Sequence, residues 1–464
     1  EGVLDVVELD HGIGVVASTI EVALQAKDKL DIEWSKGVTA ESHSSKSAYQ
    51  EYERLAVQKS ADIDVLTDKG NTENARRSAA RTYEADYKNE HVYHAQMEPL
   101  NAVVSIAEDG ASAEVWAGTQ AQPGARQDAA DALGMDISQV TFYPQYLGGG
   151  FGRRSRGDYV AEAAILAKAV MRPLKLIWTR QDDIQYGMFR PMSLQRMRAS
   201  VDGSGRVTGW DHMIVGTGGG LLSSGAETEF YTFPNQHIEV RNIDHGIRTK
   251  HWRAVGHGPN KFAIEAFIDE IAAGEGVDPL DFRLQLMKEF PRAQNVLQTA
   301  ADMANWASPV AEGRGRGIAF AERSNSLAAC VCEISLNRQT GHIKVHDIWA
   351  SLDAGVVVQP DNAIAQMEGA IVMGLSSVLK EQITIEKGRV QQTNYDDYPI
   401  LTIDECPERI EVQLIPSQER PTGIGESGVP IIGGAVANAF ANLTGKRLRH
   451  IPFTPDKVLA ALEA

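Results

Sequence analysis

Leu147-Gly148-Gly149-Gly150-Phe151-Gly152-Arg153-Arg154 lies between a β-patterned run, Val140-Thr141-Phe142-Tyr143, and a helical run from Asp158 to Val170. A second short apolar run, Leu174-Lys175-Leu176-Ile177-Trp178, follows and reads as the next strand. Before it, Ala129-Ala130-Asp131-Ala132-Leu133 is helical and stops at Gly134. The last third repeats the mixture, with strands near Ile343 to Ile348 and Ile410 to Ile415 and an apolar helix from Gly434 to Leu443. The fold class is therefore α+β with mixed sheets. The chain shows no repeat with a period of about 20–50 residues, which excludes a solenoid or propeller.

The glycines suit a ligand, because they let the backbone come close and present successive N–H groups. The positive end of the following helix faces the loop, and Arg153 and Arg154 add charge. The run is not a P-loop, having no Gly-Lys-Ser/Thr, and Arg153-Arg154-Ser155 stands where a dinucleotide fingerprint needs its third glycine. By itself such a turn is structural as often as it is a binding loop.

The N-terminal part alternates short β runs with helix. Ser18-Thr19-Ile20-Glu21 has capping-box spacing before Val22-Ala23-Leu24, and Leu30-Asp31-Ile32-Glu33-Trp34 reads as a strand. A polar segment from Lys36 to about Lys59 reads as a surface excursion, and the first boundary is expected between Asn71 and Tyr87. Three consecutive segments are expected: 1–80, 81–310 and 311–464. The stretch from Val215-Gly216-Thr217-Gly218-Gly219-Gly220-Leu221 to Tyr231-Thr232-Phe233-Pro234 carries little regular pattern.

Composition narrows the function. The 464 residues exceed one core, and 45 Lys+Arg against 62 Asp+Glu give a net charge of -17. That field repels phosphate backbones and disfavours nucleic acid or an anionic lipid surface as partner. No apolar run is long enough to span a membrane. The chain opens on Glu1, mid-strand and without an initiator Met, and so reads as a fragment or processed chain, in which any export signal would be missing. Its three cysteines, Cys330, Cys332 and Cys406, cannot ligate a cluster that wants four thiolates. Cys330 and Cys332 share one face of a strand and read as small buried hydrophobes. Electrons handled here must leave through another polypeptide or domain.

Four further constellations carry polar groups in glycine-rich or small-residue settings. In Pro421-Thr422-Gly423-Ile424-Gly425-Glu426-Ser427-Gly428-Val429-Pro430, one carboxylate is set among three glycines before an apolar helix. A general base needs such fixed placement; a solvated loop acid does not. Trp116-Ala117-Gly118-Thr119-Gln120-Ala121-Gln122-Pro123 takes a strand end into a helix start, and Gln120 can both donate and accept. His251-Trp252-Arg253-Ala254-Val255-Gly256-His257-Gly258 precedes a helix with Asn260, Glu265 and Asp269-Glu270. No third ligand stands at helical spacing from His251 and His257, so no protein-ligated metal is expected. Gln366-Met367-Glu368-Gly369-Ala370-Ile371-Val372-Met373-Gly374 is an apolar helix with small residues where another backbone can approach.

Taken in order, Trp-x-x-Thr-Gln (116–120), Gly-Gly-Gly-Phe-Gly (148–152), Trp-Arg-x-x-Gly (252–256), Gln-x-Glu-Gly-Ala (366–370) and Gly-x-Gly-Glu (423–426) resemble the molybdopterin-binding large subunit of the xanthine oxidase family. The likeness is nearest to isoquinoline 1-oxidoreductase and its membrane-associated aldehyde dehydrogenase relatives. Tyr93-His94-Ala95-Gln96-Met97-Glu98-Pro99-Leu100-Asn101, Phe267-Ile268-Asp269-Glu270 and Asn394-Tyr395-Asp396-Asp397-Tyr398-Pro399 add to it.

The resemblance implies a small hammerhead-like α/β portion over 1–80, with the two parts of the cofactor-binding region following. It implies that Gln120 stands by an oxo ligand of molybdenum, and that Gly149, Gly150, Phe151 and Gly152 lie against metal and pterin, with Arg153 following on. Arg253 would line the site, Gln366 would hold the pterin, and Gly425 would flank the family's base, Glu426. The implied cofactor is molybdenum with molybdopterin cytosine dinucleotide. The implied partners are a small subunit carrying the iron–sulfur clusters, with a cytochrome as further acceptor. The reaction would put water-derived oxygen onto an electron-poor carbon of an N-heteroaromatic ring or an aldehyde. Relatives of this kind are often exported folded, which points to the periplasm; the cytoplasm stays open.

The family's Gly-Gln-Gly segment and its Ser/Thr/Gly-rich pterin stretch are not found here, so the site is expected to be incomplete or shared with another chain. Purine-oxidising relatives place an acid where this sequence has Ser155, which argues against xanthine as substrate. Two rival readings remain at this point: a non-catalytic relative that keeps the fold without the cofactor, and a phosphate- or nucleotide-binding protein using the 148–154 loop.

Overall fold

Val104 and Val115 are fully buried while their sequence neighbours are partly or fully exposed, the period-2 pattern of a sheet covered on one face. In the computed structural model, which describes residues 1–58 and 63–463, they belong to a four-stranded sheet. Its order is Val140–Pro144, Ala113–Ala117, Asn101–Ile106 and Leu174–Ile177. The first two strands are parallel, as the intervening helix Gln122–Leu133 requires; the other pairings are antiparallel. Gly134 ends that helix in the left-handed region at φ 71°. Helix Asp158–Val170 packs beside it, burying Tyr159, Val160, Ala163, Leu166 and Ala167. A hairpin of Val3–Leu9 and Gly12–Ala17 joins the same core through Val16. A Cβ on Gly14 would lie 2.3 Å from Leu166 Cδ2, so a larger residue there would require Leu166 to shift. Residues 1–41 and 94–188 make up this compact unit.

The second unit takes residues 42–93 and 189–464. It holds a six-stranded mixed sheet ordered His450–Ile451, Arg81–Asn89, Ser193–Val201, Val207–Gly216, Gln236–Asn242 and Asp64–Lys69. It also holds a four-stranded sheet of Arg314–Arg323, Ser326–Leu336, Ile343–Asp353 and Arg409–Leu414. Strand Ser326–Leu336 is buried along nine consecutive residues, because helix Pro430–Thr444 covers one face and helix Pro291–Met303 the other. Cys330 and Cys332 are both buried and free, and Cys330 donates to Ile431 O at 3.5 Å.

Helix Pro430–Thr444 approaches its neighbours at backbone distance. A Cβ on Gly317 would stand 2.1 Å from Ala435 O, and one on Gly315 2.4 Å from Ala439 O. Helix His257–Glu275 lies along its other side, where a Cβ on Gly434 would come within 2.5 Å of Glu265 Cβ. Glu265 is fully buried among the elements it joins. Its Oε1 accepts from Tyr231 Oη at 2.6 Å, and its Oε2 accepts from Arg283 Nε at 2.8 Å and the Phe320 amide at 3.1 Å.

Several expectations are corrected. Leu30–Trp34 is not a strand: Trp34 is 58% exposed, and no strand pairs with the segment among the described residues. Alternating residues without a partner edge do not make a sheet. Helix Ile20–Lys27 is capped by Thr19, not Ser18, its side chain accepting from the Val22 amide. The polar run from Lys36 contains helix Ser45–Leu55, which buries Tyr49, Tyr52 and Leu55 on one face; Lys59 lies outside the described residues. Amphipathic spacing, masked by Ser, Lys and Glu, made that helix. The compact units are discontinuous, with cuts at 41/42, 93/94 and 188/189. No described helix is long and apolar enough to cross a membrane.

Two predictions follow from burial. Glu265→Gln leaves the Arg283 cation buried without its counter-charge and should cost about 3–5 kcal/mol in urea unfolding. Adding Arg283→Met should recover part of that loss, whereas a double variant worse by the full sum of the single losses would refute the coupling. Burial also pushes the imidazoles of His91 and His212 down to about 4 and about 3. Both are neutral in the fold, while the unfolded chain takes up protons below its ordinary value of about 6.5. Their contribution is therefore complete above about 6.5 and declines as pH falls toward about 4, by up to about 1.4 kcal/mol per pH unit for each. Replacing either by Gln should flatten the measured slope of unfolding free energy over that range.

Candidate active site

The glycine loop in the first unit is braced from behind. Gln120 N and Thr119 Oγ1 both donate to Arg154 O, at 3.0 and 2.9 Å. The Gly152 amide donates to Gln120 Oε1 at 2.9 Å, and a Cβ on Gly150 would intrude to 2.5 Å from that oxygen. Gly149 and Gly152 have φ of 94° and 108°, and between them Phe151 is held at 49°, half-exposed. A large non-glycine residue there stores strain that the surrounding bonds must offset. Glu98 Oε2 accepts from the Gly148 amide at 2.8 Å and Arg154 Nη2 at 2.9 Å. Burial raises the Glu98 carboxyl, but the Gly148 amide and the Asn101 and Arg154 side chains outweigh it and hold it below its usual range.

Arg153 and Arg154 do not reach out to an anion. Arg153 is fully buried, bidentate to Asp158 at 2.9 Å for both contacts and packed over Trp178. Arg154 is equally buried against Glu98, Gly118 O and Pro99 O. What the loop offers is neutral donors: the amides of Gly149, Gly150 and Phe151, and Gln120 Nε2, meet no acceptor among the described residues. Ser155 is occupied locally, donating to Gly152 O at 2.6 Å.

In the second unit, three further predicted segments converge. Trp252 is buried and anchored by its indole N–H to Tyr93 O at 3.1 Å; Tyr398 Oη donates to the same oxygen at 3.1 Å. The chain then turns through Ala254 and Val255 at φ of 73° and 55°. For β-branched Val255 this is a strained conformation of the kind that clusters at functional sites. Arg253 Nε donates to Gly425 O at 2.8 Å and its Nη2 to Gln366 Oε1 at 2.9 Å. Burial lowers the Arg253 guanidinium, with the Glu426 carboxylate opposing. Gln366 projects from helix Pro360–Leu379, its Nε2 meeting no acceptor among the described residues.

Glu426 is gripped at both oxygens. Oε1 accepts from the Ala254 amide at 3.0 Å; Oε2 accepts from Arg323 Nε at 2.7 Å, with Nη2 2.5 Å away. The loop around it is packed tightly: a Cβ on Gly428 would stand 2.7 Å from Met367 O and 2.9 Å from Ala370 Cβ. At Gly425, by contrast, a Cβ would meet nothing within 4 Å. Arg323 is the site residue that sequence reasoning missed, since a strand-end arginine carries no motif. His257 contacts Ser224 Oγ at 3.1 Å and lies 3.8 Å from Glu322. Among the described residues no group of three or more His, Cys, Asp or Glu is placed to hold a metal.

The first unit thus carries a glycine loop with spare backbone amides, and the second a carboxylate gripped at both oxygens. Two models described as molybdopterin cofactor-binding domains match residues 57–287 and 269–407. The chain belongs to the xanthine oxidase family of molybdopterin-binding subunits. It is similar to isoquinoline 1-oxidoreductase subunit beta of Brevundimonas diminuta, at 31% identity over 98% of this chain and 61% of that protein. It is also similar to the membrane-bound aldehyde dehydrogenase (pyrroloquinoline-quinone) of Gluconacetobacter polyoxogenes, at 32% identity over 97% of this chain and 63% of that protein. The chain thus spans about three fifths of the length of these relatives. In fold it resembles the crystal structure of quinoline 2-oxidoreductase from Pseudomonas putida 86, with TM-score 0.85 at 14% identity over 98% of this chain and 86% of that one. The mixed-sheet class and the family expected from the five motifs are both borne out.

The residues fit a molybdopterin chemically. Its phosphates, ring carbonyls and ring nitrogens are acceptors, and the groups left over in the cradle and at Gln366 are donors. Gly150→Ala and Gly428→Ala should separate site from scaffold. The first displaces only the flexible end of Gln120, so molybdenum content should fall while the unfolding midpoint barely moves. The second meets Met367 backbone and should destabilise the fold by about 1–3 kcal/mol. Equal effects on metal content and stability in both variants would contradict this division.

Proposed function

We propose that this chain serves a molybdenum hydroxylase that inserts water-derived oxygen at an electron-poor carbon of an N-heteroaromatic ring or an aldehyde. The cofactor is proposed to be the cytosine dinucleotide form, with electrons passing to an iron–sulfur partner subunit. The observation that carries this reading is the Glu426 carboxylate, fixed at both oxygens while its side chain stays partly exposed. The bound cofactor would supply an acidified oxygen nucleophile and take up the electrons.

The protein's own part is then to move one proton. Oε2 of Glu426 already has both acceptor directions facing Arg323 nitrogens, whereas Oε1 accepts only the Ala254 amide. Oε1 therefore keeps a lone pair and is the oxygen that takes the proton. Gly149, Gly150, Phe151, Gly152 and Gln120 would hold the cofactor by their spare donors, with Arg153 bracing the loop from below. Gln366 and Arg253 would act as a unit: Arg253 fixes the Gln366 carbonyl, which turns Nε2 toward the ligand. Gly425 supports Arg253 through its carbonyl.

The intact complex should contain molybdenum and reduce an artificial dye with quinoline or with benzaldehyde. Glu426→Gln should lower kcat by about 10²–10⁴-fold at unchanged metal content. Full turnover by that variant, or an active preparation without molybdenum, would overturn the reading.

A further inference from the structure

Arg323 ends the strand Arg314–Arg323, just before a two-residue turn in which Ser324 and Asn325 have φ of 54° and 65°. That turn is stitched to the loop bearing Glu426. The Gly423 amide donates to Ser324 O at 3.2 Å, Ser326 Oγ donates to Gly423 O at 2.8 Å, and Ser326 and Thr422 share a hydroxyl contact at 2.7 Å. A Cβ on Gly423 would be 2.8 Å from Ser324 Cβ, so the two backbones cannot be spread by a side chain. Arg323 and Glu426 are thus mounted on one rigid junction, and their contact is not a chance meeting of two long surface side chains.

Arg323 also lines a cavity of about 400 Å³ together with Ser224, His257, Glu227, Glu229 and Glu322. The acids there have partners of their own. Glu322 accepts from the Asn325 amide at 2.6 Å and lies 3.8 Å from His257, and Glu229 lies 3.7 Å from Lys261. The Arg323 guanidinium is turned to Glu426, giving Nε and Nη2 to the single oxygen Oε2. A fork that takes one oxygen from the side leaves the other oxygen, and its outward lone pair, in a fixed direction.

We propose that Arg323 is a positioning residue for the base: it anchors Oε2 of Glu426 so that Oε1 is the oxygen presented to the departing proton. This rests on the reading of Glu426 as general base. In the step itself a proton moves to Oε1, and no proton crosses the ion pair. A loop acid held only by the Ala254 amide could rotate about its last torsion and offer either oxygen; with Arg323 in place it cannot.

The test uses the intact complex, with Arg323→Gln, Arg323→Lys, Glu426→Gln and the Arg323→Gln/Glu426→Gln double variant. Dye reduction with quinoline and with benzaldehyde gives kcat and KM. Labelling of Glu426 by a water-soluble carbodiimide, read by mass spectrometry, gives a readout that does not depend on turnover. Arg323→Gln should lower kcat by about 10–100-fold with KM little changed, and the carbodiimide should label Glu426 faster. Arg323→Lys should regain part of kcat, and Arg323→Gln should cost nothing further once Glu426 is Gln. A rise in KM with kcat intact would mean that Arg323 binds substrate and would overturn the proposal. So would full turnover in Arg323→Gln while Glu426→Gln is inactive, or an equal loss from Arg323→Gln in both backgrounds. Full turnover in Glu426→Gln would instead remove the base reading beneath it.

Discussion

Helix Pro430–Thr444 can occupy its place only because glycines stand where it meets its neighbours. Gly315 and Gly317 admit its backbone to the strand on one side, and its own Gly433 and Gly434 admit helix His257–Glu275 on the other. Every residue from Pro430 to Phe440 is buried in that seam. Close packing of this kind tolerates little displacement, so the start of the helix is fixed in space. The loop carrying Glu426 leads directly into it, and the Val429 amide is bonded back to Glu426 O at 3.0 Å. The buried Glu265 carboxylate completes the seam by tying Tyr231, Arg283 and the Phe320 amide to one point.

The polar chemistry of the site follows from which atoms are already spoken for. Gln120 and Gln366 each have the carbonyl oxygen engaged, by the Gly152 amide and by Arg253. Each amide group is therefore oriented, and what it shows is N–H. Arg253 is spent on holding Gln366 and Gly425 O, and Arg153 and Arg154 are spent on holding the glycine loop. The cationic side chains serve as scaffold in each unit; the glycine loop of the first presents neutral donors, and the second presents the Gln366 amide and one carboxylate. Such a surface favours a ligand rich in acceptors, whose charge is met by backbone dipoles rather than by ammonium or guanidinium groups.

Much of this was legible in the chain itself. Gly134, the alternating apolar runs and the Gly-rich turn before Asp158 mark elements that the structure places at those residues, because each signal is local. The five ordered motifs identify the family for the same reason. What escaped reading depends on tertiary contacts. Arg323 gains its meaning only from a loop about a hundred residues further on. The inward turn of Arg153 and Arg154 depends on Asp158, Trp178 and Glu98 being close enough to claim them. Leu30–Trp34 has a strand's composition without a strand's neighbour, and Ser45–Leu55 hides an apolar face in a polar sequence.

The interleaved chain path has a consequence for biosynthesis. The six-stranded sheet unites a strand beginning at Asp64 with others between Ser193 and Asn242, and takes its edge from His450–Ile451. Arg253 must wait for Gln366 and Gly425, residues 113 and 172 positions later, before it has anything to hold. A ribosome delivers these parts in order, and loops this long close slowly. The base-bearing half of the site thus waits for Gln366 and for the loop that carries Glu426. It comes into being only through the closure of long loops, so a cofactor that needs these groups meets a set assembled by the fold rather than one local motif.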